Sequence, residues 1–391
     1  MVDFAPLRDS EIDVNHGVPP ALTESERGAE GLSLRTDRRV EDLTSASSVQ
    51  REPDISVVVI AHDRRNYLLE AVRSVRTQLF DPRRFEVLVV KNYTDGSIDA
   101  ELDRWGCQVI LVRDDELGAK VAEGVRLARA PVVTFLEDDD RYDPRRLQQV
   151  AQQFSDDSGL AFYHNHIRVI DGEGRPVAAP QLWQWRTRWP AAGETVEEIR
   201  RADPNSVLDL VGFQPDSNLS SMAVRRRILL PWLDVLRRVP LAVDTFMFIA
   251  AVVSRETILL TSRPLTDYRV HGGNASNHSF RDMNEQLAAR LRHARRNFIA
   301  HDLILKLALE SHHAVGTAEA NASRLMAEAF LRVLSFSSDR RGNFRLFIAL
   351  VQARRTYYVR KQRPLLAATL TSAISPRLTR GIYVLGKRLG Y

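Results

Sequence analysis

Four acidic side chains follow one another directly after an apolar run. The run VVTFL, residues 132–136, has the β-branched and aromatic composition of a buried strand. It is followed by Glu137, Asp138, Asp139 and Asp140. Neighbouring carboxylates repel one another, and Mg²⁺ or Mn²⁺ can relieve that repulsion because both ions prefer oxygen ligands. The residues alone leave two interpretations open, a divalent metal site and a solvated acidic turn.

The segments around this cluster alternate between strand and helix patterns. Continuous β-branched runs are typical of strands buried on both faces, and apolar residues three and four apart are typical of helices. Buried strands are predicted at 54–62, 85–92, 107–114 and 131–140, with helices at 65–78, 119–130 and 145–154. This order predicts a parallel sheet covered by helices, in which ligands bind beyond the carboxyl ends of the strands. The acidic cluster lies at such an end.

The rest of the chain is less regular. Strands are predicted at 159–171 and from Asn218, with an irregular segment at 180–215. From Met283 the pattern is helical to the end, with breaks near 312–316, 337–343 and Pro364.

Composition restricts the class of protein. The chain has 391 residues, of which 44% are hydrophobic and 27% are charged, as in soluble globular proteins. Its single cysteine, Cys107, permits no internal disulfide, so a cytosolic setting is the default. The acidic N-terminus does not resemble a signal peptide, and we find no run of about 20 apolar residues that would predict a membrane span.

Positive charge is concentrated at the C-terminus. Residues 340–391 contain 12 Lys and Arg and no Asp or Glu, although the net charge of the chain is only +5. Residues 364–376 form a charge-free run of 13 residues, which is too short to span a bilayer but long enough to lie on its surface. A solvated helix face and contact with an anionic surface are both compatible with this pattern.

Three segments together resemble a known enzyme family. They are ISVVVIAHDRRNYLLEAVRSV, FEVLVVKNYTDGSID and GAKVAEGVRLARAPVVTFLEDDDRYDPRRL. In order and spacing they resemble the inverting glycosyltransferases of family two, and the resemblance covers residues 54–280. It implies the α/β GT-A fold, a Rossmann-like, mostly parallel sheet flanked by helices, followed here by a helical C-terminal region. It also implies a nucleoside diphosphate sugar donor and Mn²⁺ or Mg²⁺.

The resemblance assigns roles to the acidic cluster. The family has an Asp-x-Asp motif, and Glu137-Asp138-Asp139 occupies its position. Asp139 is then the expected metal ligand, while Glu137 or Asp138 faces the ribose and phosphates. Glu137 replaces the first Asp of the motif, which leaves its contact open.

Further donor contacts are implied at the ends of neighbouring strands. The loop AHDRRNY, which begins at Ala61, corresponds to the loop that surrounds the base and ribose, with Asp63 and Arg64 as the donor contacts. Asn92 stands at the position of a base-reading Asp, and its amide leaves uracil and guanine both possible. Lys120, at the start of a helix, suits a diphosphate.

Two residues in the second half complete the implied site. Asp244, in PLAVDTFMFIAAVV, matches the acidic residue that takes the acceptor proton. A lone Asp at a helix start is otherwise a common N-cap. His271, in YRVHGGNAS, matches a histidine that reaches the metal or the diphosphate.

These patterns predict a peripheral enzyme at the cytoplasmic face of the cell membrane. We expect a flexible arm at 1–52, a glycosyltransferase domain at 53–280 and a basic membrane-associating region at 281–391 that is dispensable for donor chemistry. The donor would be UDP- or GDP-linked, GDP-mannose among the candidates, and the acceptor a lipid-linked molecule or a glycan. A nucleic acid partner is not expected, because few aromatics accompany the basic residues. The alternatives are a nucleotidyltransferase and a non-catalytic scaffold. A nucleotidyltransferase would carry a Gly-rich loop near the first strand, and the sequence AHDRRNY at that position is not such a loop.

Overall fold

One mixed sheet lies at the centre of the protein. The computed structural model describes residues 52–177, 198–201, 210, 213–271, 283–361 and 363–381. In these residues the strands are β1 (Ile55–Ala61), β2 (Phe85–Lys91), β3 (Gln108–Leu111), β4 (Val132–Glu137), β5 (Arg141–Tyr142), β6 (Leu160–Ile170), β7 (Glu198–Arg201), β8 (Met222–Arg225) and β9 (Thr257–Arg269). Their order is β3-β2-β1-β4-β8-β6-β9-β5, with β7 paired to β9 outside this path. The first four strands are parallel, whereas β8 is antiparallel to both of its neighbours.

Helices cover the sheet and continue to the C-terminus. They are α1 (Leu68–Arg76), α2 (Gly96–Arg104), α3 (Leu117–Leu127), α4 (Arg146–Asp156), α5 (Leu233–Leu236), α6 (Val243–Ser254), α7 (Met283–Glu310), α8 (Ala314–Leu334), α9 (Arg340–Gln352), α10 (Tyr357–Lys361) and α11 (Arg363–Ile374). The predicted helical texture from Met283 is confirmed as far as Gly381, the last residue that the structure describes, and the breaks near 312–316 and 337–343 are found at 311–313 and 335–339. Pro364 lies at the start of α11, and a further interruption at 353–356 was not predicted. Among the described helices, none combines the length and apolar character that crossing a membrane requires.

Alternation along β1 explains why helices pack on both faces of the sheet. Val58 and Ile60 belong to a core that includes α3 and α6, while Val57 and Ala61 belong to a second core that includes α1. All seven residues of β1 are buried, as its continuous apolar run predicts. Gly124 permits the close approach of α3, because a Cβ there would lie 2.4 Å from Cγ1 of Val58.

The register of the parallel strands brings the starts of three loops together. Ala61 of β1 pairs with Lys91 of β2, and Ile60 pairs with Glu137 of β4. The residues that follow β1, β2 and β4 therefore leave the sheet side by side. The strand order reverses between β1 and β4, which is where ligands bind in open α/β sheets.

Some predicted elements differ from the structure. The third strand is shorter than predicted and mostly exposed, because β3 lies at the edge of the sheet. Helix α2 was not predicted; Asp95 caps it by accepting a 3.2 Å hydrogen bond from the Ile98 backbone N–H. Strand β9, 13 residues long, was not predicted. Residues 1–51 of the predicted arm and most of the irregular segment 180–215 lie outside the described residues.

The C-terminal helices pack into the same core as the sheet. From Gln50 onward the chain forms one compact unit. Tyr357 and Val359 are fully buried in the core that contains Phe248 of α6. The Tyr357 hydroxyl donates a 2.5 Å hydrogen bond to Asp216. This packing argues against the expectation that the C-terminal region is dispensable, while the boundaries 53–280 and 281–391 stay a prediction.

Candidate active site

An arginine holds the acidic cluster together. Arg64, in the loop after β1, donates from Nη2 to Asp138 Oδ1 at 2.5 Å and from Nη1 to Asp139 Oδ2. Both carboxylates are almost entirely buried, whereas 32% of the Arg64 side chain is exposed. The Tyr93 hydroxyl fixes this loop by donating to the Arg64 carbonyl at 2.7 Å. Arg64, which was predicted as a donor contact, thus forms ion pairs with two residues of the acidic cluster.

Backbone contacts of β4 place the carboxylates at the sheet edge. The Asp138 N–H donates to the Ile60 carbonyl at 3.1 Å, and the Glu137 N–H donates to the Ser220 hydroxyl at 3.0 Å. Asp138 also accepts from the His62 backbone N–H at 3.2 Å. The chain can therefore turn directly after the strand without leaving these N–H groups unpaired.

Burial makes this cluster costly to ionise. It raises the pKa of Asp138 to about 7, although Arg64 opposes the shift. Burial, followed by the charge of Asp139, raises the pKa of Asp140 to about 8. The pKa of Glu137 is raised well above its ordinary value by burial first and then by its acidic neighbours. A bound cation would favour the charged forms of all three.

His271 reaches the same cluster from the end of β9. Its Nε2 lies 3.1 Å from Asp139 Oδ2, and its ring packs edge-on against Tyr67 with centroids 5.1 Å apart. Arg269 secures the end of β9, because its Nε donates to the Asp139 carbonyl at 2.8 Å and its backbone N–H donates to Asp140 Oδ1 at 3.0 Å. The glycines that follow His271 lie outside the described residues.

Asp63 and Asn92 meet as a reciprocal pair. The Asp63 N–H donates to Asn92 Oδ1 at 3.0 Å, and Asn92 Nδ2 donates to Asp63 Oδ1 at 2.9 Å. Asp63 has a φ of 55°, a left-handed conformation that Asp tolerates better than most residues. Fully buried Ala61 ends β1 just before them. The sequence predicted these residues singly; their pairing comes from the register of β1 and β2.

Lys120 lies in the first turn of α3 and is fully buried. Its Nζ donates to the Asp114 carbonyl at 2.6 Å. Burial lowers its pKa, while nearby carboxylates, Asp63 among them, act in the opposite direction. Lys120 thus feels the charge of the Asp63 loop, although its Nζ donates to the backbone after β3.

Asp244 comes from a helix in the second half of the chain. It occupies the first turn of α6, and Ala242, with a φ of 58°, is the N-cap, so the interpretation of Asp244 as the cap is wrong. Asp244 accepts a 2.9 Å hydrogen bond from the Thr245 N–H. Its charge contributes to the raised pKa of Glu137, which places the two carboxylates in the same electrostatic neighbourhood.

Comparison with known proteins agrees with this geometry. The family model "Glycosyl transferase family 2" matches residues 56–205. Residues 56–205 of this chain are therefore similar to glycosyl transferase family 2. An uncharacterised glycosyltransferase of Nostoc sp. is 26% identical over 229 residues, which cover 56% of this chain and 66% of the relative, so the chain spans just under two thirds of that relative's length. The family resemblance is therefore confirmed.

A solved structure shows the fold of this protein. The crystal structure of S. aureus TarS 1–349 aligns with a TM-score of 0.51 at 17% sequence identity, covering 85% of this chain and 92% of that chain. The predicted GT-A fold, with its helical C-terminal region, is confirmed.

The protein side chains fit a metal ion that is completed by substrate. Within the part of the chain that the structure describes, no group of three His, Cys, Asp or Glu side chains is arranged to hold a metal. Asp139 and His271 converge to 3.1 Å, however, and Mg²⁺ sites often use one or two protein ligands plus substrate phosphates. Arg64 occupies the same Asp139 oxygen, so a metal would share or replace that contact.

Sequence reasoning missed several residues that shape this site. Arg269 stacks over the Tyr67 ring at 4.4 Å and pairs with Glu70 at 2.8 Å. The Ser220 hydroxyl accepts a hydrogen bond from the Glu137 N–H. Arg269 stands two positions before His271, and this proximity was the available signal; nothing in the sequence pointed to Ser220.

Proposed function

We propose that this glycosyltransferase transfers a sugar, with inversion, from a UDP- or GDP-linked donor to a lipid-linked or glycan acceptor at the membrane surface. The observation that carries the proposal is the convergence of Arg64, His271 and the Asp63–Asn92 pair on the acidic end of β4. These groups offer complementary partners for a base, a ribose and a diphosphate within one edge of the sheet.

The residues after β1 and β2 would bind the nucleoside. Asp63 and Asn92 form an exposed pair, so a base can replace one of these hydrogen bonds while water satisfies the released group. Ala61 would place its backbone beside the nucleoside. Lys120, together with the start of α3, would favour the negative charge of the diphosphate.

Asp139 and His271 would hold Mn²⁺ or Mg²⁺ together with diphosphate oxygens. When bound, the metal would supply charge stabilisation to the leaving diphosphate. Arg64 supports this assignment because it shows that the site accepts positive charge at the Asp139 carboxylate. Glu137 or Asp138 would face the ribose and phosphates.

Asp244 would act as the general base. The acceptor hydroxyl gives its proton to the Asp244 carboxylate while its oxygen forms a bond to the anomeric carbon of the donor. The bond between that carbon and the diphosphate oxygen breaks, and the diphosphate leaves with the electron pair. Attack from the side opposite the leaving group inverts the anomeric centre.

The charge distribution supports a peripheral location at the cytoplasmic face of the membrane. Residues 340–391 carry 12 basic and no acidic side chains, which suits an anionic leaflet. A lipid-linked acceptor would then be presented at the same surface.

Donor hydrolysis tests the proposal most simply. The full chain is incubated with UDP- and GDP-linked hexoses and N-acetylhexosamines, with Mn²⁺ or with EDTA, and released UDP or GDP is measured by chromatography. We expect release from one nucleotide class that EDTA abolishes. No release from any donor, combined with no nucleotide binding, would reject the proposed activity.

A further inference from the structure

A shallow groove lies between α9 and α11 on the outside of the helical region. Its cavity of about 370 Å³ is lined by Arg340, Arg341, Phe344, Arg345, Leu370, Ala373 and Ile374. We call these seven residues the C-terminal basic groove. Its arginines come from the first two turns of α9, and its walls are apolar.

The packing of α9 against α11 creates this groove. Asn343, Leu346 and Leu350 are buried, and Asn343 Nδ2 donates a 3.0 Å hydrogen bond to the Ser372 hydroxyl. Positions three and four apart share one face of a helix. Burial of that inner face therefore leaves Arg341, Phe344, Arg345 and Ile348 on the outer face, where all four are exposed.

Large apolar side chains are exposed beside the arginines. Phe344 is 52% exposed and Ile374 is 62% exposed, and both line the groove. Leu378, one turn beyond Ile374, is 53% exposed. Adjacent exposed apolar side chains rimmed by polar groups are typical of interaction surfaces.

The charge arrangement selects an anionic partner. Arg340, Arg341 and Arg345 stand near the N-terminus of α9, where the helix dipole already favours negative charge. Asp339, the last acidic residue of the chain, is engaged as the cap of α9: it accepts a 2.8 Å hydrogen bond from the Gly342 N–H and pairs with Arg332 at 3.3 Å. The groove thus presents three arginines beside a helix end that Asp339 caps.

The expected membrane-entering run contributes less than its composition suggested. In the run 364–376, Thr369, Ser372 and Ala373 are buried, and Ser372 bonds to α9. Among the described positions of this run, Ile374 is a large apolar residue whose side chain is highly exposed. The surface available to a membrane is therefore built from two helices.

We propose that the C-terminal basic groove docks the protein on a bilayer that contains anionic phospholipid. Its arginines bind the lipid phosphates, and Phe344 and Ile374 enter the boundary between headgroups and acyl chains. The inference rests on the membrane association in the proposed function and assigns it to particular residues. Basic residues and interfacial apolar residues act together in such surfaces.

Vesicle flotation with matched charge reversals tests the docking surface. The full chain, Arg341→Glu/Arg345→Glu and Arg354→Glu/Arg355→Glu are mixed with phosphatidylglycerol–phosphatidylcholine vesicles or with pure phosphatidylcholine vesicles. The second pair is also exposed and basic but does not line the groove, so both double variants change the net charge equally. We expect the groove variant to bind anionic vesicles at least about 30-fold more weakly, because each arginine near the surface contributes about a kcal/mol. The control variant should lose much less.

Equal losses in the two double variants would overturn the assignment, since general charge would then explain binding. Equal binding of the wild type to neutral vesicles would overturn it as well. Donor hydrolysis in solution should be the same in all three proteins, because the substituted residues are remote in sequence from the acidic cluster and exposed. Failure of vesicle binding with hydrolysis intact would therefore reject the docking surface and leave the proposed enzyme activity standing.

A fluorescent reporter tests the entry of Phe344. Cys107 is buried and its thiol pKa is raised to about 11 by burial, so an introduced cysteine can be labelled selectively. An environment-sensitive dye on Phe344→Cys should shift to shorter wavelength with anionic vesicles, whereas the same dye on Arg354→Cys should not. A shift produced equally by inorganic phosphate or by RNA, or no shift with vesicles, would contradict docking on a bilayer.

Discussion

Arg64 occupies a position between two carboxylates that would otherwise repel one another. It pairs with Asp138 and Asp139, and it is more exposed than either. A positively charged partner is thus present in the protein itself, and the donor diphosphate and its cation would meet a site already arranged for charge. His271, 132 residues further along the chain, approaches the same Asp139 carboxylate. At this scale the sequence indicated the residues, but their mutual contacts depend on the strand register.

The proposed base is tested by Asp244→Asn. Asparagine keeps the size of the side chain and can still accept from the Thr245 N–H, but it cannot take a proton. We expect the affinity for the donor to stay within about twofold and the transfer rate to fall by about 10²–10⁴-fold, the usual contribution of a general base. Calorimetry gives the affinity and product formation gives the rate. A parallel loss of donor affinity would place Asp244 in the nucleotide site instead.

Among the secondary-structure elements, those with strong internal patterns were predictable. The spacing of Leu68, Val72 and Val75 predicted α1, and all three are buried there. The exposure of β3 was not predictable, because it results from the position of this strand at the edge of the sheet. Strand β9 was missed because its polar residues do not alternate, and its pairing with β6 contains register shifts. Arg269 therefore escaped notice although it anchors the acidic cluster.

Glu319 of α8 should make the stability of the helical region depend on pH. It is buried and accepts hydrogen bonds of 2.9 and 3.0 Å from the Tyr357 N–H. Burial raises its pKa from 4.5 to about 7. Because the folded pKa lies above the unfolded one, its contribution is fully present below pH 4.5 and is lost as the pH rises through 7, on the order of 3 kcal/mol in total.

Glu319→Gln removes this titration and provides the comparison. Between pH 5 and pH 8 the free energy of unfolding of the wild type should decrease relative to that of the variant. Urea denaturation at both pH values measures the difference. A constant difference across this range would contradict the assignment to Glu319.

In the whole molecule, the C-terminal helices and the sheet share one core. Tyr357 packs against Phe248, with ring centroids 5.8 Å apart, and Phe248 lies one turn after Asp244 on α6. Asp216, which accepts from Tyr357, directly precedes Ser217, whose carbonyl lies 2.8 Å from His164 Nε2. The helical region therefore packs against α6, the helix that carries the proposed base Asp244. The sequence showed a change of texture near Met283, but burial across that boundary is a property of the folded chain.

Removal of the chain after Asp339 should therefore destabilise the enzyme. The truncation deletes Tyr357 and Val359 from the core, and truncating one such aromatic residue alone, as in Tyr357→Ala, typically costs about 3–5 kcal/mol. We expect Tyr357→Ala to lower the free energy of unfolding by this amount and the truncated chain to lose its cooperative thermal transition. Arg354→Ala, an exposed substitution in the same region, should change stability little. A truncated chain with the melting temperature of the wild type would refute this view of the core.

Metal-dependent nucleotide binding tests the central claim most directly. UDP and GDP are titrated calorimetrically into the wild type, Asp139→Ala and the exposed control Asp103→Ala, with Mn²⁺ and with EDTA. We predict that the wild type and the control bind one of the two nucleotides only with Mn²⁺, and that Asp139→Ala loses this binding while its thermal transition is retained. Binding that does not require the metal, or that Asp139→Ala preserves, would contradict the assignment of the acidic end of β4 as the donor site.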